Sequence, residues 1–329
     1  MRRTLQSALA VLLLIPVLST AHGQDTIAVT CDRLSDRAAV FRTAVGSEPT
    51  NVIALQSERG IVIIDTERSP VFTTSIRTVI EEEFDGDIRY LINTHGHGDH
   101  TYGNQVFSEA TIIAHENCVQ EIEEAVGRID GTVEQISAMI PRWKSQLEGM
   151  EEGSEQAVAL AATISYYEQM VAGLAEGFTV TFPTLTFKDR MNLDLGDLTL
   201  ELVWYGRAHS NSDIIIYCPE ERLLLTGDLF HTHGMPYIDS ERIPHLSRWH
   251  GIIDTLLKRE EGITNIVCGH GVYLPLSNLE ETLSFIAGQR ELYAGRESTL
   301  NTFRAVIEAE GVEAGLVRLR EMYADTTRY

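Results

Sequence analysis

The densest chemistry in the chain lies in one hexapeptide, His95-Gly96-His97-Gly98-Asp99-His100, where three imidazoles and a carboxylate are separated only by glycines. Neutral imidazole and carboxylate are both strong zinc ligands. Glycine lets a loop turn sharply and gather several side chains around one point. In a tight turn His95 and His97 can face one ion while Asp99 and His100 face a second. The run before it, Ile88-Arg89-Tyr90-Leu91-Ile92-Asn93, reads as a strand emptying into that loop. A lone His-x-His would be weak evidence, since a polar surface loop accounts for it. Four ligand-type residues directly after an apolar strand are a strong signal.

The hexapeptide resembles the His-x-His-x-Asp-His signature of the metallo-β-lactamase superfamily, and the resemblance spans roughly residues 50–275 apart from one insertion. It implies an α/β fold of a particular form: an αββα sandwich, two sheets face to face with helices outside. It also assigns further residues. In the family a Gly-x-x-His-(Thr/Ser) turn supplies the third histidine of the first metal, and Gly206-Arg207-Ala208-His209-Ser210 matches it, with serine in place of the commoner threonine. Asp228 matches the position where a carboxylate bridges two metals. The best-known β-lactamase subclass carries a cysteine ligand there, and Cys218 lies too early to replace it. The aspartate looks instead like the arrangement of glyoxalase II, lactonases and phosphodiesterases of the superfamily. His270, in Cys268-Gly269-His270-Gly271, matches the final ligand.

The ligand set so implied is His95, His97 and His209 at site one, and Asp99, His100 and His270 at site two, with Asp228 reaching both. Two zinc ions per chain would keep an open side for a bridging hydroxide, as catalytic sites require. Asp65, ending the run Gly60-Ile61-Val62-Ile63-Ile64-Asp65, is expected to orient a histidine N–H or the loop backbone. His231 and His233 either line a substrate pocket or sit exposed in a loop. Tyr237 and Trp249 are weaker pocket candidates.

The elements that must position these residues repeat in the two halves. The first half runs strand, Asp65, helix from Ser69-Pro70, strand Ile88–Asn93, His95. The second runs strand Arg222–Gly227, Asp228, helix near Ser247–Lys258, strand Thr264–Cys268, His270. Gly60–Ile64 is continuously apolar, which suits a strand buried on both faces. Further short strands are read at Thr26–Cys31, Ala38–Arg42, Asn51–Gln56, Leu198–Trp204 and Ile214–Cys218. Interleaved strands and helices argue for α/β layering.

Between about residues 116 and 177 the pattern changes to helix-forming sequence. One apolar face holds Ile129, Val133, Ile136, Met139 and Ile140, and a second holds Leu160, Ile164, Tyr167, Val171 and Leu174. Pro141, Gly149 and Gly153 punctuate them. This insertion reads as a helical hairpin of two or three helices, used either as a lid or wall over the site, or as a structural elaboration or homodimer contact. Residues from about 276 to 329 read as capping helices.

Arg2 and Arg3, the apolar run Ala8–Leu18 and the small residues that follow have the layout of a secretory signal peptide over residues 1–23. The mature domain is then 24–329, periplasmic or secreted, with no stable membrane anchor after cleavage. Cys31, Cys118, Cys218 and Cys268 have no zinc-knuckle spacing, and no disulfide is assigned. A net charge of −22 offers nothing to a nucleic acid, so a nuclease role ranks low and a small-molecule substrate is expected.

These readings predict an exported zinc hydrolase that attacks an ester, thioester, lactone or amide/lactam carbonyl, with Asp99 orienting the nucleophile or relaying its proton. Two alternatives stand beside it. Some relatives with this loop bind a single iron and oxidise persulfides, and the same imidazole and carboxylate donors suit iron. A non-catalytic metal-binding protein of the same fold is the other.

Overall fold

The computed structural model describes residues 27–44, 49–175, 178–230, 246–257, 262–272 and 274–275, with isolated positions toward the C-terminus. The expected signal segment 1–23, His231, His233, Tyr237 and nearly all of 276–329 lie outside the described residues.

The first sheet is built from β1 (Val29–Arg33), β2 (Ala38–Thr43), β3 (Val52–Ser57), β4 (Gly60–Ile64), β5 (Ile88–Ile92), β6 (Thr111–His115) and β7 (Leu185–Phe187), in that spatial order. Helix α1 (Pro70–Glu83) links β4 to β5, and the short α2 (Gly98–Thr101) carries the end of the histidine-rich loop. The insertion between β6 and β7 holds α3 (Asn117–Val126), α4 (Ile129–Glu148) and α5 (Glu155–Ala175). The second sheet holds β8 (Arg190–Asp194), β9 (Thr199–Trp204), β10 (Ile214–Cys218), β11 (Leu223–Gly227), β12 (Asn265–Cys268) and β13 (Leu274–Pro275), with α6 (Leu246–Leu257) before β12. Its strand order runs from β13 down to β8.

The apolar runs explain the layering. In β4, Val62 and Ile64 face the inter-sheet core with Ile92, Leu202, Ile216 and Leu225, while Ile61 and Ile63 face the opposite way against Ile76 and Ile80 of α1. In β10, Ile214 and Ile216 point into the same inter-sheet core, and Ile215 packs with Trp249, Ile252 and Leu256 of α6. These strands are apolar on both faces because both faces are covered, and the αββα sandwich follows.

The internal echo holds at the level of strand pairing. β4 pairs with β5 in parallel, as β11 does with β12, whereas the other neighbours described in the second sheet are antiparallel. Asp65 follows β4 and Asp228 follows β11; the loops of His95 and His270 follow β5 and β12. All four therefore emerge at the same ends of parallel strand pairs. Ser69 opens α1 by accepting the Val71 N–H at 3.3 Å, with Pro70 in the first turn.

Three expectations need adjustment. The first strand lies at Val29–Arg33, a few residues later than Thr26–Cys31. Strands β6, β7 and β8 are absent from the sequence reading, although Arg190-Met191-Asn192-Leu193-Asp194 of β8 alternates polar and apolar residues. Pro141 does not punctuate the insertion: it lies inside α4, which continues past it. The two amphipathic faces bury against each other and the core. Tyr166 stacks on Phe72 of α1 at 4.6 Å, and Ile129, Met170 and Leu174 share that cluster. Met139 is left outside it, 38% exposed. All four cysteines are free thiols.

Candidate metal centre

The loop after β5 turns under Asp65, a residue with φ of 60°. Asp65 touches both the loop and a histidine ring. Its Oδ1 accepts the Thr94 N–H at 2.7 Å, its Oδ2 accepts the Thr94 hydroxyl at 2.7 Å, and the same Oδ2 lies 2.9 Å from His100 Nδ1. The His100 ring is thereby fixed with Nε2 facing inward. The backbone carbonyl of His100 accepts from Thr66 Oγ1 and Asn93 Nδ2, both at 3.0 Å.

The second sheet delivers its residues through close backbone approaches. Gly227 has φ of 50°, and a Cβ there would stand 2.7 Å from Thr94 Oγ1. A Cβ on Gly269 would overlap Asp228 Oδ1. Side chains at either position would push Asp228 and the first loop apart. Asn51 closes the seam, donating Nδ2–H to the carbonyls of Cys268 (2.8 Å) and Gly271 (3.0 Å) while its backbone N–H donates to the Gly269 carbonyl.

The seven residues singled out as ligands converge. His95, His97, His209 and Asp228 form one group and Asp99, His100 and His270 a second, the donor atoms within each lying within 4.8 Å of one another. His209 Nε2 is 3.0 Å from His97 Nδ1, and His100 Nε2 is 3.2 Å from His270 Nε2. Asp228 lies between the groups. Its Oδ2 is 3.4 Å from His209 Nε2 and 3.6 Å from His270 Nε2, and its Oδ1 is 3.3 Å from His100 Nε2. Asp99 Oδ2 sits 3.4 Å from His270 Nε2 and 3.7 Å from Arg68 Nη2.

This arrangement fits a metal on its own evidence. His100 directs Nδ1 to Asp65, and His270 directs Nδ1 to the Pro49 carbonyl at 3.2 Å. If both of those nitrogens carry the proton, two lone pairs face each other across 3.2 Å, an arrangement that a shared cation relieves. Two nitrogens bound tetrahedrally to one zinc stand about 3.3 Å apart. Among the described residues, His95 Nε2 and Asp228 Oδ1 are buried without a hydrogen-bond partner, as donors reserved for a metal would be.

In the metal-free cluster His95 and His209 are shifted toward the neutral ring, whereas His100 and His270, beside Asp228 and Asp99, are shifted toward the protonated one. Burial, with His100 and His97 nearby, holds His95 well below the usual imidazole range. Burial and His97 bring His209 down to about 3. Both imidazoles are thus neutral at physiological pH. Burial opposes ionisation of Asp228, but His270 and His100 outweigh it and hold the carboxylate well below its ordinary range. His100 is raised despite its burial because Asp228, Asp65 and Asp99 surround it. The pocket concentrates negative potential that a dication would neutralise.

Several residues that hold the centre are not singled out by the sequence. Thr94 carries the Asp65 contacts. Glu121 of α3 reaches both histidine loops. Asp213 ties its own turn to Ser210. Their types are common in the sequence, and no spacing marks them. Trp249 is fully buried, its Nε1–H donating to Leu229 O at 2.9 Å and its ring 5.9 Å from that of His209, so it backs the site from within the core.

A two-sheet sandwich with a cluster of histidines and aspartates at one edge defines a class of metal-binding α/β proteins. The family model described as "Metallo-beta-lactamase superfamily" matches residues 45–270, and the chain belongs to that superfamily. It is 22% identical over 223 residues to the metallo-beta-lactamase type 2 of Bacillus sp. (strain 170), covering 68% of this chain and 67% of that protein. It is 25% identical over 194 residues to a linear primary-alkylsulfatase of Pseudomonas sp. (strain ATCC 19151), covering 57% of this chain and 35% of the relative. The metallo-beta-lactamase from Pontibacter korlensis shares the fold, with a TM-score of 0.54 at 18% identity over 79% of this chain and all 100% of that one. Membership and the donor cluster together support a metal-dependent hydrolase at the level of the superfamily.

Proposed function

We propose that the chain is a dinuclear zinc hydrolase that cleaves a small ester, thioester, lactone or amide, and that it works in the periplasm or outside the cell. The observation that carries this is the position of Asp228, whose two oxygens lie 3.3–3.6 Å from donors of both groups. A carboxylate so placed suits a bridge between two ions. Two zinc ions held there would supply Lewis acidity and a water activated at neutral pH.

The protein's own residues divide the rest of the work. His95, His97 and His209 would hold one ion and Asp99, His100 and His270 the other. Asp99 is the more exposed of the two carboxylates, at 29% against 7% for Asp228. It therefore faces the open side, where it can orient the attacking water and move its proton. Arg68 beside Asp99 helps to keep that carboxylate ionised: burial raises its pKa, and His100, His270 and Arg68 more than reverse the shift. The names of the relatives, β-lactamase and alkylsulfatase, mark two substrate classes for the screen.

Elemental analysis of natively purified protein should find about two zinc per chain. Activity should appear against a panel of lactams, lactones, thioesters, sulfate esters and phosphodiesters. No transition metal after purification and none taken up on titration would remove the proposal, and a single iron would favour persulfide oxidation instead. The intact mass of the same preparation reads its N-terminus, expected near Gln24.

A further inference from the structure

Glu121 lies on α3, the first helix of the insertion, and is 2% exposed. Its Oε1 accepts the Asn211 N–H at 2.6 Å. Its Oε2 accepts the Gly96 N–H at 3.3 Å and also the Ser212 hydroxyl. Gly96 separates His95 from His97, and Asn211 and Ser212 follow His209 by two and three positions. One buried carboxyl group therefore grips both loops that carry the three site-one histidines.

The approach is close enough to depend on residue type. A Cβ on Gly96 would overlap Glu121 Cβ. The neighbouring turn of α3 adds a second tie, Asn117 Nδ2 donating to Asn211 O at 2.9 Å, and Trp204 Nε1 donates to the same carbonyl at 3.1 Å. The site-two residues are held from elsewhere, by Asp65, Asn51, Thr50 and the Pro49 carbonyl, all from the first sheet and its edge.

We propose that Glu121 is a positioning residue for site one alone: it sets the separation between the His95–His97 loop and the His209 loop, and so the affinity of that site for its metal. The proposal rests on the dinuclear reading of the centre. It assigns the insertion a role in the core chemistry through its first helix, distinct from any role as a lid.

Glu121→Gln tests it well. An amide has one accepting oxygen where the carboxylate has two. Whichever way that amide turned, its NH₂ would face a backbone N–H, that of Gly96 or that of Asn211. Ser212→Ala removes only the hydroxyl contact and is the milder variant. Cobalt(II) titration of metal-free protein, read by d–d absorption and calorimetry, resolves the two binding steps. His209→Ala identifies the site-one step and His270→Ala the site-two step. E121Q should weaken the site-one step by about 10–100-fold and leave the site-two step unchanged. S212A should weaken the same step by less, and serves if E121Q fails to fold. Thr50→Val, which removes the hydroxyl that donates to the Asp99 carbonyl at 2.8 Å, should do the converse, weakening the step that H270A removes. Weakening of both steps equally, of the site-two step only, or of neither would overturn the proposal, whatever happens to the melting temperature. Wild-type protein that takes up no cobalt would instead overturn the reading of the centre.

Discussion

Site one and site two sit side by side, yet they are held in different ways. At site two the side chains are oriented one by one. His100 Nδ1 meets Asp65, His270 Nδ1 meets the Pro49 carbonyl, and Asp99 lies beside Arg68. At site one the rings have little of this. His95 Nδ1 has the Thr94 hydroxyl at 3.1 Å, and His209 Nδ1 is buried with no hydrogen-bond partner among the described residues. There the loops are held instead, by buried carboxyl groups that grip backbone N–H groups: Glu121 on Gly96 and Asn211, Asp213 on Ser210. Hydrogen bonds from carboxylates to ligand histidines fix ring orientation and raise basicity. Site two thus gains strong, individually fixed donors, and site one gains a fixed spacing between weaker donors. Two ions bound there would accordingly differ in affinity and in their response to mutation.

The largest effect should come from the one residue that both sites share. Asp228→Ala removes a donor lying within 3.6 Å of His209, His270 and His100 alike. It should lower kcat/KM by more than about 100-fold and reduce bound zinc from two toward one. Far-ultraviolet circular dichroism should keep its native shape, because the strand core does not depend on that side chain. Unchanged turnover with two metals retained would mean that the sites are independent and that Asp228 bridges nothing.

Much of this is legible in the sequence, and the boundary has a physical cause. The apolar runs of β4, β5, β10 and β11 carry the fold, and the turns that follow them carry Asp65, the histidine-rich loop and Asp228. Periodicity and residue type read them directly. Asp65 is visible because it interrupts an apolar run at its end. Glu121 and Asp213 are not, because a buried carboxylate on a helix or in a polar turn has the same one-letter neighbours as an exposed one. Only the meeting of α3 with two loops separated by more than a hundred residues shows what Glu121 does. Strands β6 to β8 escape for a related reason. β7 and β8 are largely exposed, with only Leu193 of β8 buried, and the apolar residues of β6 are the consecutive Ile112, Ile113 and Ala114, which show no alternation. Pro141 misleads because tertiary contact between α4 and α5 outweighs the local cost of a proline within a helix.

A smaller effect should follow from removing the outer part of the insertion. Replacing residues 129–175 with a flexible linker spares Glu121, Asn117 and every metal donor. Both metals should stay bound, and KM should rise by up to about tenfold if α4 and α5 form a wall beside Arg68 and Asp99. The melting temperature should fall, since Phe72 would lose Tyr166, its stacking partner at 4.6 Å. An altered mass by light scattering with unchanged kinetics would assign the segment to a subunit contact. Loss of the site-one metal would show that α3 cannot hold its loops without the helices that follow, and would blur the contrast drawn between the two sites.

The smallest effect expected is on pH dependence, and it separates the two kinds of support. Burial, with Glu121 nearby, pushes the Asp213 carboxyl up to about 7. In the unfolded chain the same group ionises near about 3.9. Between those values the native state binds more protons than the unfolded one, so stability falls as pH rises, and the loss is complete above the folded pKa. Asp99 at site two has the opposite sign: His100, His270 and Arg68 hold it below its ordinary range against burial, so its contribution is lost as pH falls. Asparagine at this position keeps an oxygen for the Ser210 N–H, which Asp213 accepts at 2.7 Å, and it has no charge to bury. Metal-free Asp213→Asn should therefore show a flatter decline in Tm between about pH 5 and about pH 7.5 than metal-free wild type. It should be the more stable of the two by about a few degrees at the upper end. Melting curves that run parallel across this range would mean that Asp213 is ionised throughout, and that its grip on Ser210 is that of an ordinary carboxylate.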